Sequence, residues 1–232
     1  MTMRTTRIVL IAVFVLATSL AGFAQQPCGI PNQIFCQPFD LTGNASSSQN
    51  DTNGNGNFAT VYDNFDGRVG KVHSVHWVGE YFNGSSNPPN VNGFTVTFWD
   101  ATGQQGFAGS PGNITAQFTC GGLCGETDLG NFGGSEAFVY WITLPTDFTP
   151  IAGTNWVSVV PNLGFPPQWG WSTGTGGDGL SYQDFFGARS PLALDFALAL
   201  DGPGSTTPEP GTLIMLGTGI LGLAGTLRRK LL

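Results

Sequence analysis

The chain has 232 residues, with 35 glycines, 12% aromatic residues and only 10% charged ones. Between residues 25 and 204 three basic residues (Arg68, Lys71 and Arg189) stand against fourteen acidic ones, a net charge near −11. Such a body repels polyanions, which excludes nucleic acid as a partner. Few Lys and Glu beside much Gly, Asn, Thr and Ser is the composition of short strands joined by many turns, and no stretch of strong helix formers interrupts it. The predicted class is therefore all-β.

At the front, Arg4 and Arg7 precede an apolar run over residues 8–21, followed by Gly22-Phe23-Ala24. This order of charged, apolar and small residues predicts a secretory signal peptide over 1–24, cut by signal peptidase between Ala24 and Gln25. An uncut membrane anchor is the competing reading, and a run of about 14 apolar residues is short for the ~20 a span needs.

Four cysteines follow, Cys28, Cys36, Cys120 and Cys124, all in the exported part. An even count in an oxidising compartment favours disulfides, with the local pairs Cys28–Cys36 and Cys120–Cys124 the expected connectivity. Zinc competes, yet no histidine adjoins either pair and both spacings depart from zinc knuckles. Asp51, Asn53 and Asn55 place side-chain oxygens at alternate positions before Gly56. They copy the first half of a calcium loop, but Tyr62 stands where the bidentate Glu belongs, leaving Asp63 or Asp66 as substitutes. A plain Asn/Gly turn explains the same residues, and no other cofactor is indicated.

Strand signals with turn punctuation run through the body. Phe94, Val96 and Phe98 alternate with threonines, and Phe138, Tyr140, Ile142 and Leu144 alternate with Val139, Trp141 and Thr143. Leu192, Leu194, Phe196, Leu198 and Leu200 make a third alternating run. Further strands are predicted over 58–65, 72–78, 114–120, 155–160 and 169–172. Eight or so short strands argue for a single jelly-roll-like antiparallel β-sandwich over 25–204. His73 and His76, three apart on a strand, point to opposite faces and cannot chelate one metal, and no Ser-His-Asp spacing surrounds them. Trp169, Trp171, Tyr182, Phe185 and Phe186 crowd a Gly-rich stretch with Gln168, Asp178, Gln183 and Asp184 among them. Exposed, they would form a sugar-binding platform, aromatic rings on the C–H faces and polar groups on the hydroxyls. Buried, they would cap the core.

The last segment, 205–232, contains Pro208-Glu209-Pro210, an apolar stretch of 16 residues over 212–227, and the basic cluster Arg228-Arg229-Lys230. As a helix the stretch is about 24 Å long at ~1.5 Å per residue, marginal for a ~30 Å hydrocarbon core. The basic cluster should stay inside, which puts the body outside. A plain tail anchor with a chance Pro-Glu-Pro is the competing reading.

The three parts in this order resemble the PEP-CTERM sorting signal, a tail type that also carries the name ice-binding-protein C-terminal domain. The resemblance implies a transient membrane anchor, processing by an exosortase-type enzyme at or near Pro208, Glu209 and Pro210, and a bacterium that makes exopolysaccharide. The body also resembles, in looser motifs, a domain common among PEP-CTERM proteins. The motifs are Asp63-Asn64-Phe65, Val75-His76-Trp77-Val78-Gly79, the run over 94–100, Ser110-Pro111-Gly112, the run over 166–171 and the closing 194–198. That likeness implies an extracellular β-sandwich of unassigned activity. The expectation is a non-enzymatic surface or matrix protein that binds extracellular polysaccharide. A structural or adhesive protein without a pocket and a secreted glycan hydrolase are the alternatives. Exposed Trp169 and Trp171 would favour the first, and two carboxylates facing across a cleft the last.

Overall fold

The computed structural model describes residues 27–82, 91, 93–122 and 124–204. The predicted signal peptide with its expected junction at Ala24 and Gln25, and the tail with Pro208, Glu209, Pro210 and its expected apolar helix, lie outside the described residues.

In chain order the strands are β1 (Gln33–Gln37), β2 (Ala45–Ser47), β3 (Gln49–Asp51), β4 (Gly56–Asp66), β5 (Val72–Phe82), β6 (Phe94–Trp99), β7 (Ile114–Cys120) and β8 (Gly125–Phe132). Then come β9 (Ser135–Phe148), β10 (Thr154–Leu163), β11 (Gln168–Gly174), β12 (Ser181–Phe185), β13 (Ala188–Leu192), β14 (Asp195–Phe196) and β15 (Leu198–Asp201). They form two sheets packed as a β-sandwich, as predicted. In the first sheet β5 is central: β9 covers one edge, while β15 and then β11 cover the other. In the second, β10 lies between β6 on one side and β4 with β3 on the other. The neighbours are antiparallel apart from β3 and β10, which make a short parallel pair.

Period-2 alternation explains the core. Phe94, Val96, Phe98, Val157 and Val159 of the second sheet meet Val75, Trp77, Tyr140, Ile142 and Leu144 of the first, all buried. Each such side chain contributes about 1.5–3 kcal/mol through removal from water. The alternation is incomplete in the first sheet, because its outer face is also covered. Phe39 packs there on Val78, Ala137, Val139 and Ala197, so residues 137–140 of β9 are all buried.

The third alternating run, 192–200, is not one strand. Leu192 pairs with Ser181 in the second sheet, whereas Phe196 pairs with Thr173 and Leu200 with Val75 in the first. The chain crosses between sheets at residues 193–194, and Leu194 is left 41% exposed. Alternation persists through the crossing and hides it.

The two ends of the body lie together. Gln33 at the start of β1 is opposite Asp201 at the end of β15, and the Gly202 N–H donates to the Asn32 carbonyl. The other end of the sandwich carries the 51–56 turn and the Phe185-Phe186 hairpin tip, where the Phe186 N–H donates to the Phe58 carbonyl.

Candidate functional site

Both cysteine pairs close as disulfides, Cys28–Cys36 and Cys120–Cys124, with Cα separations of 5.8 and 5.4 Å. Among the described residues no cysteine is free.

The 51–56 turn is organised by its own carboxylate. Asp51 Oδ1 accepts from the backbone N–H of Phe165 (2.8 Å) and of Asn53 (2.8 Å), and Oδ2 from the Asn55 backbone and side-chain amides. These donors, Phe165 first, hold the Asp51 carboxyl below the usual range. Asn53 turns its amide to the Phe165 carbonyl, Asp66 pairs with Arg68 at the far end of β4, and Asp63 points into the sandwich. Both Asp51 oxygens predicted for a calcium half-loop are thus occupied by amide donors. The loop geometry is that of the turn reading, with the carboxylate capping backbone N–H groups. Among the described residues no cluster of three or more His, Cys, Asp or Glu is placed to hold a metal ion.

The platform expected at Trp169, Trp171 and Tyr182 is corrected too. Trp169 and Trp171 are 0% exposed, facing inward from β11 between Gly170 and Ser172. Their rings lie 5.3 Å from Phe94 and 5.4 Å from Phe196, and Trp171 Nε1–H donates to the Ala197 carbonyl at 2.9 Å. Tyr182 sits on the outer face of the second sheet but is covered by Phe107, with Trp156 beside it. None of the three can stack on a sugar. The legible sign was the small residues alternating with the tryptophans, which belong on an outward, covered face.

One grouping escaped the sequence. Ser74 and His76 share a face of β5, and β15 brings Asp201 opposite Ser74. The Ser74 hydroxyl donates to Asp201 Oδ2, and His76 Nε2 lies 3.2 Å from that oxygen and 3.4 Å from Ser74 Oγ. A serine nucleophile needs its proton taken by one imidazole nitrogen while the carboxylate holds the other. Here both contacts converge on Nε2 and the serine proton is directed to the carboxylate, so the trio is a polar clamp between β5 and β15. His73 points away, to Asp147 at 2.8 Å.

An open concavity lies on the outer face of the second sheet. Strand register aligns Tyr62, Ser158, Thr97 and Gln117 in one row across β4, β10, β6 and β7. Asn57, Asn50 and Asn162 form a second row, across β4, β3 and β10. Between these rows and a half-buried Trp99 runs a trough of about 400 Å³. Its walls are held internally: Trp99 Nε1 donates to Ser158 Oγ (3.0 Å), Gln117 Nε2 to Thr97 Oγ1 (3.0 Å), and Asn50 Nδ2 to Asn162 Oδ1 (2.6 Å). No charged side chain lines it among the described residues.

The loop over 100–113, which does not line the trough, is tied down by Arg189. Its guanidinium pairs with Asp184 (2.7 Å), lies 4.8 Å over the Tyr62 ring and donates to the Pro111 carbonyl at 2.6 Å. Burial of Tyr62 and the adjacent Asp184 carboxylate push the tyrosine hydroxyl's pKa well up, so it stays protonated and donates to Asp184 at 2.9 Å.

The described residues thus present a polar trough on one face of a β-sandwich. Residues 206–230 match the PEP-CTERM protein-sorting motif, and the chain is a PEP-CTERM sorting domain-containing protein. That motif entails export, processing by an exosortase and association with the cell envelope. No curated protein matches the chain, and no solved structure does.

Proposed function

We propose that this chain is a non-enzymatic surface or matrix protein that leaves the cell through its 1–24 leader, is processed by an exosortase at Pro208-Glu209-Pro210, and binds extracellular polysaccharide. The observation that carries the reading is the pairing of Gln33 with Asp201. It brings the leader-side and tail-side ends of the body to one end of the sandwich, which can face the envelope. The 51–56 turn and the Phe185-Phe186 tip then point outward, and the long faces of both sheets stand clear of the membrane. The body's net negative charge keeps it soluble and disperses neighbouring copies.

Processing is tested with the double substitution Pro208→Ala and Glu209→Ala. A tail-bearing form of the variant is expected to accumulate in the membrane fraction, while the parent reaches the cell surface or matrix without its tail. Identical fractionation and identical mobility of the two proteins would overturn the sorting reading.

A further inference from the structure

We infer that the trough on the outer face of the second sheet is a binding site for a neutral polysaccharide chain, with Trp99 as its aromatic contact. The inference rests on the polysaccharide-binding reading above and assigns it a site and a ligand class.

The lining is chemically one-sided. It is made of amides, hydroxyls, two aromatic rings and two aliphatic side chains. Amides and hydroxyls both donate and accept, the mixture a polyol demands, since every sugar hydroxyl does both. A half-buried indole supplies an apolar face for sugar C–H groups. Uronic, sulfated or phosphorylated sugars would find no cation here. The body's charge near −11 would also repel them, because Arg189, one of its three cations, is already paired with Asp184.

The site is also preorganised. The bonds within the walls fix one end of each amide and leave the other for a ligand. Asn50 and Asn162 brace each other, as do Gln117 and Thr97, while Thr60 donates to Asn57 Oδ1 at 3.2 Å. Side chains already held lose less rotamer freedom on binding. Nδ2 of Asn162 and Asn57 can then donate, and Oδ1 of Asn50 and Oε1 of Gln117 can accept.

Its shape fits a chain rather than a small molecule. From Trp99 to the level of Asn162, beside Gly93, the strands advance about 20 Å at ~3.3 Å per residue, and the trough is open along this length. An unbranched polymer lying along the strands would meet the indole at one end and the asparagine row at the other.

The test is native affinity electrophoresis of the full chain, produced in an exporting host and extracted in mild detergent. Gels contain either a neutral polymer (dextran, barley β-glucan, galactomannan or arabinoxylan) or an acidic one (alginate or polygalacturonate). At least one neutral polymer is expected to retard the protein and neither acidic one. Trp99→Ala should weaken retardation roughly 5- to 150-fold, by analogy with base stacking on aromatics. Gln117→Ala, on the rim and outside the core, should weaken it about two- to tenfold, and Trp141→Ala on the other sheet should leave it unchanged. Retardation by a neutral polymer that survives both trough substitutions would remove the site assignment and leave polysaccharide binding standing. Retardation by acidic polymers alone would overturn the ligand class. No retardation in any gel would overturn both the site and the polysaccharide reading, without touching the sorting of the chain.

Discussion

Glu80 stands on β5 with its side chain fully buried and, among the described residues, no hydrogen-bond partner for either oxygen. Burial pushes its pKa up to about 7 from an ordinary 4.5; the Ser172 hydroxyl opposes the shift and the Asp40 carboxylate adds to it. The folded state thus holds a proton on Glu80 that the unfolded chain releases near 4.5. Its contribution to stability is full below that pH and declines as pH rises toward 7. Glu80→Gln removes the ionisable group. Thermal melts at pH 4.5, 6 and 8 should therefore show the variant gaining on the parent with rising pH, most of the gain falling before pH 8. Asp63, also buried and pushed up by desolvation, titrates in both proteins and cancels in the comparison. Parallel melting profiles would contradict the assignment. Nothing in the sequence marks Glu80, because its burial depends on strands that meet only in the fold. The tryptophans are only partly legible, through the small residues that alternate with them. Trp169 and Trp171 lie among amides and acids in sequence, yet the residues that surround them, Phe94 and Phe196, are distant in the chain.

At the level of elements, strands whose apolar residues alternate were legible: β6 and the middle of β9 fall where the pattern puts them, and β7 spans the predicted 114–120. β1, β2, β3, β8 and β12 carry no such alternation, because they are short or polar and owe their form to a neighbour's backbone hydrogen bonds. The trough was half legible. Thr95 and Thr97 were visibly the outward residues of β6, but the strands beside them follow from topology alone. The loop over 100–113 was read through Ser110-Pro111-Gly112, while its anchor, Arg189, lies far along the chain. The Arg189 side chain is 2% exposed, and its loss would leave Asp184 and the Pro111 carbonyl without their cation. Arg189→Ala should cost about 3–5 kcal/mol in urea denaturation, the range for a broken buried pair. Amide exchange should rise first in residues 100–113. A loss under 1 kcal/mol, with that loop still protected, would show that the ion pair does not hold it.

At the scale of the whole molecule, three segments carry separate proposed tasks: export for the leader, binding for the two-disulfide sandwich and sorting for the tail. The sandwich was legible as a class from composition, and the tail from a motif that needs no fold to be read. Which face is available for the proposed binding depends on how the sheets are covered. The outer side of the first sheet is partly closed by Phe39 and its neighbours, and the second sheet keeps its trough open. The disulfides belong to this scale, since both pairs lie in the part that crosses into an oxidising compartment. Intact-mass analysis of the protein recovered from the cell envelope and matrix, alkylated without prior reduction, tests export, sorting and oxidation together. The account predicts a chain that begins at Gln25, ends at or near Pro208-Glu209-Pro210 and carries two disulfides with no alkylated cysteine. A chain that still begins at Met1, keeps residues 211–232 and carries four alkylated thiols would contradict it.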